Sequence, residues 1–420
     1  MDSSMKVAVI GAGTMGSGIA QVAAQAGHIT FLFDTRREAV DKAITTLGKT
    51  FDKLVEKGKL TAEKATEILS RIKPATDLKD LAGCGLVIEA IIEELGIKKK
   101  LFAELETVLG PDAVLATNTS SLSVTAIAAA CGKPERVIGL HFFNPAPLLP
   151  LVEVVPGLAT DDTLAPLICS LMQAWGKVPV VCKDTPGFIV NRVARPFYGE
   201  AIRIYEEGIA GMSTIDAAMK SVGFKMGPFE LMDLIGNDIN FTVTKTVWEA
   251  FFYDQRYKPS FTQQRQVESG RLGRKSGRGF YQYDASGTIV PQTSAGALEK
   301  APQTSAGSLA EDPAEQLKAA GSPPSSGDPA EVSSAIVERI LAMLINEATD
   351  ALFWQVASAK DIDLAMTKGV NYPKGLLAWA DEKGAAHWLA VLEKLQAQYG
   401  EDRYRPSPLL RSAAGSHSLA

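Results

Sequence analysis

The sequence predicts an α/β domain built on a mostly parallel sheet, followed by an all-helical domain and a second, linker-connected copy of that helical domain. Three observations support this fold class. Short apolar runs alternate with longer amphipathic stretches over the first 185 residues, which is typical of βαβ units. Apolar residues at helical spacing follow. A later stretch repeats part of that helical pattern after a shift of 147 residues.

The apolar runs of the first domain are predicted strands, and the amphipathic stretches between them are predicted helices. The strands are expected at Val7–Ile10, Ile29–Phe33, Leu86–Ile92, Val114–Thr117, Val137–His141, Leu151–Val155 and Val178–Cys182. The helices are expected at Thr14–Ala26, Arg37–Glu56, Thr61–Ile72 and Lys98–Leu109. Two of these helices lie between the second and third predicted strands, and we expect them to project from the sheet as a pair.

Changes in composition set the predicted domain boundaries. After Thr185-Pro186-Gly187 the alternation ends and helical spacing begins, so residues 1–186 form the first domain and 187–284 the helical domain. Residues 285–331 are rich in Ala, Gly, Ser, Pro and Gln and have almost no large apolar side chains. Such a segment cannot bury enough apolar surface to order itself, which predicts a flexible linker. Residues 332–415 form the second helical copy.

The internal repeat aligns residues in order and without a gap. A shift of 147 residues places Arg192 on Arg339, Glu200-Ala201 on Glu347-Ala348, and Asp216 on Asp363. Coincidence between two Ala- and Glu-rich helices is the alternative. The same shift places Met219 on Met366, and the matches of Arg, Asp and Met in order favour a true repeat.

Composition excludes several classes of function. The 420 residues carry 43 Lys plus Arg and 48 Asp plus Glu, a net charge of −5. This balance argues against binding to nucleic acid or an anionic membrane through bulk charge. No apolar run is long enough to span a membrane, and the N-terminus resembles no targeting signal, so a cytoplasmic location is expected. The four cysteines include no C-x-x-C pair, and no metal site is expected.

A glycine-rich turn is the clearest motif. Gly11-Ala12-Gly13-Thr14-Met15-Gly16 follows the first predicted strand and opens a helix, the context that a dinucleotide-binding (Rossmann-type) fingerprint requires. Its glycines allow the tight turn, the approach of the pyrophosphate and the packing of the helix. Asp34, at the end of the second strand, can accept hydrogen bonds from both ribose hydroxyls and would repel a 2′-phosphate. NAD is therefore preferred over NADP, although Arg36 and Arg37 could soften that repulsion.

One histidine stands out as a candidate base. His141 ends an apolar strand, at the edge where α/β folds bind ligands, whereas a surface position is expected for His28. Twelve residues further on, Glu153 lies within Leu151–Val155, where a carboxylate is costly to bury unless it is paired. A His–Glu pair would orient the imidazole and stabilise it once protonated, as the oxidation of an alcohol beside a nicotinamide requires. A structural histidine at a strand end is the alternative on spacing alone.

Several motifs together resemble one family. They are the Gly11–Gly16 turn, Glu93, Asn118-Thr-Ser-Ser-Leu122, Gly139-Leu-His-Phe-Phe-Asn-Pro145, Asp184-Thr-Pro-Gly-Phe-Ile-Val-Asn-Arg192 and Gly227-Pro-Phe-Glu-Leu231. In these motifs the chain is similar, from Lys6 to Tyr283, to the 3-hydroxyacyl-CoA dehydrogenases of the 3-hydroxybutyryl-CoA or phenylacetate-pathway type. The resemblance implies reversible, NAD-dependent oxidation of an L-3-hydroxyacyl-CoA to the 3-oxoacyl-CoA.

The resemblance also implies roles for individual residues. His141 corresponds to the general base and Glu153 to its partner, while Ser120 and Asn191 would hold the substrate oxygen. For coenzyme A, Lys57 is the implied contact, with Thr50 beside it. The implied cofactor contacts are Gly11, Gly13, Thr14, Met15, Gly16, Asp34, Glu93, Lys98, Ser120, Asn144 and Lys275.

The second copy departs from this pattern. Its residue at the position of Asn191 is Glu338, and no nucleotide-binding turn or His–Glu pair precedes it, so we expect it to be catalytically empty. Helical domains pair between subunits in two-domain relatives, so this copy could pair within the chain, or the chain could form a homo-oligomer. Two other functions stay open: a dehydrogenase of small 3-hydroxy acids without CoA, and a non-catalytic, crystallin-like nucleotide-binding protein.

Overall fold

The computed structural model describes residues 4–290 and 328–415. Most of the predicted linker, residues 291–327, lies outside the described part. The chain divides into two compact units. The first comprises Met1–Val190 and Trp354–Val370, and the second comprises Asn191–Phe353 and Asn371–Ala420. None of the described helices is long and apolar enough to cross a membrane.

The first unit contains an eight-stranded sheet in the order β3-β2-β1-β4-β5-β6-β7-β8. All neighbouring strands are parallel except β6 and β7, which are antiparallel. This sheet confirms the predicted α/β fold with a mostly parallel sheet. The strands are β1 (Val7–Ile10), β2 (Thr30–Phe33), β3 (Ile72–Pro74), β4 (Leu86–Glu89), β5 (Val114–Thr117), β6 (Val137–Phe142), β7 (Leu151–Pro156) and β8 (Val178–Val181).

Helices cover both faces of this sheet. The helices of the first unit are α1 (Thr14–Gln25), α2 (Arg37–Glu56), α3 (Ala62–Arg71), α4 (Leu95–Val108), α5 (Val124–Ala128), α6 (Leu164–Ala174) and, further along the chain, α14 (Ala359–Gly369). One core cluster joins α1 and α6 to the sheet, and a second joins α4 and α5 to it. Successive side chains of a strand point to opposite faces of the sheet, so a separate core cluster forms on each face.

The predicted helical pair of α2 and α3 packs together, but it does not stand clear of the sheet. Val40, Leu47 and Phe51 of α2 are buried in the same core cluster as α1. Ile68 of α3 joins them. Val40, Leu47 and Phe51 are seven and four residues apart along α2, so one stripe of this helix is apolar and must be covered.

The second unit is helical. Its helices are α7 (Val190–Val193, which begins at the last residue of the first unit), α8 (Arg195–Glu206), α9 (Met212–Ser221), α10 (Pro228–Ile235), α11 (Asn237–Ala250), α12 (Phe261–Glu268), α13 (Pro329–Phe353), α15 (Leu376–Lys383), α16 (Ala385–Tyr399) and α17 (Pro408–Ala413). The long helix α13 packs along α8 and α9. A continuous stretch from Arg339 to Ala351 is buried on this helix, so α13 forms the core of the unit.

Two buried ion pairs join α13 to the chain around α8. Arg192 Nε donates to Glu347 Oε1 at 2.5 Å, and Arg339 Nε donates to Glu200 Oε2 at 2.9 Å. The shift of 147 residues places Arg192 on Arg339 and Glu200 on Glu347. Each pair is thus the counterpart of the other, which is the reciprocity of contacts found in two-fold interfaces.

Two tyrosines repeat the same reciprocity. The hydroxyl of Tyr257 donates to Glu347 at 2.6 Å, and the hydroxyl of Tyr404 donates to Glu200 at 3.0 Å. These tyrosines are also 147 residues apart. Each buried carboxylate therefore receives both an arginine and a phenol, which offsets the cost of removing its charge from water.

Candidate active site

The glycine-rich turn between β1 and α1 has the geometry of a dinucleotide site. Gly11 has a φ of +100°, a conformation that side chains disfavour. A Cβ on Gly16 would lie 1.8 Å from the carbonyl oxygen of Gly11, whereas a Cβ on Gly13 would meet nothing within 4 Å. Gly13 is the N-cap residue of α1, whose first residues are Thr14 and Met15, and no side chain caps this helix end. The amides at this helix end are thus accessible to an anion.

Asp34 lies beside this turn. Its Oδ2 accepts a hydrogen bond from the amide of Ala12 at 2.9 Å, and its Oδ1 accepts one from the amide of Arg36 at 3.0 Å. A cleft of about 570 Å³ runs past Gly11, Gly13 and Asp34 to Ala90 and Ile91. A carboxylate at the wall of an apolar cleft next to a helix N-terminus fits an adenosine and its diphosphate, so the residues present fit NAD.

A buried charge network lies at the ends of β4 and β5. Lys98 Nζ donates to Glu89 Oε1 at 2.6 Å and contacts Glu93 Oε2 at 3.2 Å. Glu89 also accepts from the hydroxyl of Thr117 at 2.7 Å and from the amide of Ile91 at 2.7 Å. Lys98 is only 1% exposed, so it holds the two carboxylates together. The sequence analysis did not identify Glu89, although a carboxylate within the predicted apolar strand Leu86–Ile92 was the available signal.

Glu93 fixes the loop that carries Ser120. Its Oε1 accepts from the Thr119 hydroxyl at 2.6 Å and from the amides of Ser120 at 2.9 Å and Ser121 at 3.2 Å. Burial acts to raise the pKa of Glu93, but the Lys98 ammonium and these hydrogen bonds hold it below its ordinary value. Glu93 is therefore ionised and can anchor the loop. Ser120 lies at the half-buried edge of that loop.

His141 and Glu153 meet as the sequence predicts. They are register partners on the antiparallel strands β6 and β7, and His141 Nδ1 donates to Glu153 Oε2 at 2.7 Å. Glu153 Oε1 accepts from the backbone amides of Ile189 at 3.1 Å and Val190 at 2.9 Å. Glu153 is 0% exposed and His141 is 6% exposed. Both backbone amides donate to Glu153, so its carboxylate acts as an acceptor and Nδ1 of His141 as the donor. Nε2 is then the nitrogen that can take a proton.

The segment that holds Glu153 is itself anchored by Asp184. The Asp184 carboxylate accepts from the hydroxyl of Ser123 at 2.8 Å and from the amides of Val124 at 3.0 Å and Thr125 at 2.7 Å. It therefore caps α5 and ties the start of the segment 184–190 to the Ser120 loop. Phe188, in the same segment, has a φ of +50° and its ring centroid lies 5.9 Å from that of His141. The sequence offers no local signal for this contact.

A buried lysine holds the loop that follows His141. Lys177 Nζ donates to the carbonyl oxygens of Ala146 and Leu149, the latter at 3.0 Å. Burial lowers the pKa of this ammonium. Asn144, which the resemblance implies as a cofactor contact, lies exposed in the same loop. The loop is thus fixed at both Ala146 and Leu149, close to the end of β6.

The residues implied for coenzyme A lie in the C-terminal part of α2 and directly after it. Lys57 is exposed and follows the last residue of that helix. Thr50 is also exposed, and its hydroxyl donates to the carbonyl of Thr46 at 2.9 Å. A groove of about 710 Å³ separates α2 from α3 and is lined by Phe51, Val55 and Leu69 among others. The roles of Lys57 and Thr50 stay predictions.

Asn191 and Lys275 belong to the second unit. Asn191 lies in the short helix α7, half-buried. Lys275 Nζ forms an ion pair with Asp238, at 2.6 Å to Oδ1 and 2.7 Å to Oδ2. Their parts in the site stay predictions.

His28 does not lie at the surface, so that expectation is wrong. The ring is 3% exposed, its Nδ1 lies 2.9 Å from the carbonyl oxygen of Met5, and its centroid is 5.5 Å from that of Trp175. The turn before β2 is covered by the end of α6, which a local pattern does not reveal.

In residues 4–290 and 328–415, no three His, Cys, Asp or Glu side chains form a group that could hold a metal ion.

The chain is similar to known proteins along its length. Residues 6–185 match the 3-hydroxyacyl-CoA dehydrogenase NAD-binding domain, and residues 187–283 and 336–419 match the C-terminal domain. The chain is 46% identical to the 3-hydroxyadipyl-CoA dehydrogenase of Escherichia coli K12, covering 97% of each chain. It is 45% identical to a probable 3-hydroxybutyryl-CoA dehydrogenase of Deinococcus radiodurans, covering 66% of this chain and 100% of that one.

A solved structure resembles the whole chain. The crystal structure of a 3-hydroxybutyryl-CoA dehydrogenase from Escherichia coli K12 superposes with a TM-score of 0.85 at 43% identity, covering 99% of each chain. The similarity therefore extends through the residues that follow the linker and is not limited to the first 283 residues.

Proposed function

Because the chain belongs to the 3-hydroxyacyl-CoA dehydrogenase family, we propose that His141 is the general base of its reaction and that Glu153 orients it. The protein is an NAD-dependent oxidoreductase that interconverts 3-hydroxyacyl-CoA and 3-oxoacyl-CoA, as the sequence predicts. The observation that carries the proposal is the 2.7 Å contact between His141 Nδ1 and Glu153 Oε2, with Glu153 Oε1 held by two backbone amides.

This geometry supports one direction of proton movement. Nδ1 is bonded to Glu153, so Nε2 accepts the proton of the substrate hydroxyl, and the buried carboxylate stabilises the resulting imidazolium. Bound NAD supplies the acceptor for the hydride that leaves the carbon bearing that hydroxyl. In the reverse direction, His141 returns its proton to the oxygen of the 3-oxo group. A positioned base of this kind contributes about 10²- to 10⁴-fold to a rate.

Two further groups would hold the reacting oxygen. Ser120 lies on the loop that Glu93 anchors, and Asn191 lies in α7, one residue after the amide of Val190 that donates to Glu153. A hydroxyl and an amide aimed at that oxygen would favour the developing alkoxide. Asp34 and the Gly11–Gly16 turn would hold the adenosine and diphosphate. Glu93, Lys98, Asn144 and Lys275 are the further cofactor contacts that the family resemblance implies. Lys57 and Thr50 would contact the CoA.

We propose 3-hydroxyadipyl-CoA and 3-hydroxybutyryl-CoA as the first substrates to test, since the relatives act on these by name. Rates on each thioester are to be compared with rates on free 3-hydroxybutyrate. Turnover of the free acid at the rate of the thioester would favour the alternative of a dehydrogenase that does not use CoA. A cytoplasmic location is part of this proposal.

The general base is tested by substitution. His141→Gln and Glu153→Gln are expected to lower kcat by about 10²-fold or more, with KM for NAD little changed, because proton transfer is lost while the cofactor cleft is intact. NADH formation measures both. His387→Gln, on α16 of the second unit, is the matched control and should keep its turnover. Wild-type turnover in His141→Gln would remove the proposed mechanism.

We also propose that residues 332–415 are a catalytically empty second copy of the helical domain at 187–284, paired with it within one chain. The reciprocal pairs Arg192–Glu347 and Arg339–Glu200 support this. Deletion of residues 286–420 is expected to expose the apolar side of α8, and to cause either self-association or loss of solubility. Unchanged mass, solubility and activity after the deletion would contradict the pairing.

A further inference from the structure

Helix α14 is distant in sequence from the sheet but belongs to the first unit. It follows the linker and α13, yet residues Trp354–Val370 cluster with the sheet domain. The amide of Lys183 donates to the carbonyl of Val356 at 2.8 Å, and its ammonium donates to the carbonyl of Trp354 at 3.3 Å. Helix α14 then packs against β7 and β8. The side chains of Ile362, Ala365 and Met366 are fully buried there.

The face of β7 that α14 covers is the face of Glu153. Side chains alternate along a strand, so Leu151, Glu153 and Val155 share one side. The opposite side, with Val152 and Val154, belongs to the core cluster that contains α6. A Cβ on Gly369 of α14 would lie 2.5 Å from Leu151 Cδ2, which places the end of α14 on the Glu153 side.

The end of α14 also contacts a residue that holds Glu153. The same Cβ on Gly369 would lie 3.2 Å from Val190 Cγ2. The amide of Val190 donates to Glu153 Oε1 at 2.9 Å. Gly369 is buried and its φ is outside the positive range, so the restriction at this position is steric. A packed contact thus connects α14 to the carboxylate that orients His141.

We propose that α14 is a positioning element of the His141–Glu153 pair: it seals the Glu153 face of β7 and fixes Val190 through the close approach at Gly369. This inference rests on the proposed function of that pair. The segment after the linker would then support catalysis although it contributes no reacting group. Its closed packing keeps water from the carboxylate, which strengthens the bond to the imidazole, and a shift of about 1 Å in a positioned group can cost about 10²-fold in rate.

The test introduces one methyl group into the full-length protein. Gly369→Ala is expected to lower kcat about tenfold, because the His141–Glu153 pair is displaced. KM for NAD should stay within about twofold, because the cofactor cleft lies beside β1, β2 and β4, whereas α14 packs on β7 and β8. Leu151→Val removes the atom that the new methyl meets. In the double variant, kcat is expected to return to within about threefold of Leu151→Val alone, a coupling that a general loss of stability would not produce.

Two further variants keep the test decisive. Lys368→Ala changes the exposed neighbour of Gly369 and should behave as the wild type. Met366→Ala removes buried contact from α14 instead of adding volume, and it decides the question should Gly369→Ala not fold. The inference would be overturned if folded Gly369→Ala had the kcat of the wild type. If Gly369→Ala does not fold, the same result in Met366→Ala would overturn it. His141→Gln, measured in parallel, separates the two proposals: if His141→Gln is inactive and the α14 variants are normal, only the role of α14 is refuted.

Discussion

At the scale of single residues, the site depends on buried charged side chains that are hydrogen-bonded to each other or to the backbone. The pair His141–Glu153 could be predicted because His141 ends one apolar strand and Glu153 lies within another, where a carboxylate needs a partner. Lys177 and Asp184 could not be predicted. Most of their partners are backbone groups 28 to 60 residues away in the sequence, and a backbone carbonyl or amide leaves no mark in a sequence.

Lys177 gives a prediction at this scale. Lys177→Met leaves the carbonyls of Ala146 and Leu149 without their donor. An unsatisfied buried polar group costs about 1–3 kcal/mol, so the free energy of unfolding should fall by about that amount in a denaturant titration. KM for NAD should rise as the loop of Asn144 loosens. Lys64→Met, an exposed lysine on α3, is the control, and equal behaviour of the two variants would contradict a role for the buried ammonium.

Asp34 gives a second prediction at this scale. Asp34→Asn keeps an oxygen for the amide of Ala12 but removes the charge that would repel a 2′-phosphate. The ratio of kcat/KM with NAD to that with NADP is expected to fall by about tenfold, which corresponds to about 1.4 kcal/mol. Steady-state rates with both cofactors measure it. An unchanged ratio would mean that selectivity depends on some other group.

At the scale of elements, strong periodicity predicted the structure well. Helix α2 has the predicted bounds, Arg37–Glu56, because its apolar stripe is continuous. Strand β3 was not predicted, since three residues ending in Pro74 make no pattern of their own. Strand β4 ends at Glu89 instead of continuing to Ile92. The amide of Ala90 still donates to Ile10 at 2.7 Å, but the chain then turns at the cofactor cleft, where tertiary structure outweighs the apolar sequence.

Two glycines of one turn are expected to respond differently to the same substitution. Gly16→Ala places a methyl 1.8 Å from the Gly11 carbonyl oxygen, so α1 must shift, and stability should fall by about 1–3 kcal/mol. Gly13→Ala meets no protein atom within 4 Å and should fold normally. Both variants should bind NADH more weakly in a fluorescence titration. If Gly13→Ala bound NADH as tightly as the wild type, the diphosphate would not lie at this turn.

At the scale of the whole molecule, the family, the Rossmann-type fold and the dependence on NAD could be predicted from the sequence, because the motifs that define them are local. The buried network on α13 could not, since it joins Glu347 to residues 90 to 155 positions away in the sequence. Its centre is Glu347, which receives Arg192, Arg256 and Tyr257. The repeat in the sequence indicated which positions are equivalent in the two copies. It did not indicate that the arginine of each copy would pair with the glutamate of the other.

The network predicts how stability depends on pH. Burial acts to raise the pKa of Glu347, but Arg192 and Arg256 hold it below the ordinary value. A lowered pKa in the folded state stabilises the protein above the ordinary pKa of a glutamate, about 4.3, and this contribution is lost as pH falls through the folded value. Glu347→Gln should lower the free energy of unfolding by about 3–5 kcal/mol at neutral pH and flatten its decline in acid.

Urea titrations over a range of pH measure this dependence. Glu331→Gln, at an exposed position on the same helix, is the control and should keep both the stability and the acid dependence of the wild type. A variant at Glu347 that loses stability equally at every pH would show that the loss comes from packing and not from the charge.

The reciprocal pairing of α13 with α8 has a consequence for how the enzyme tolerates dilution. An interface between separate subunits dissociates as concentration falls below its dissociation constant. Here both halves are on one polypeptide, so the concentration of one half near the other does not depend on the concentration of the protein. Dilution therefore cannot separate α13 from α8, and the ratio of the two halves is always one to one.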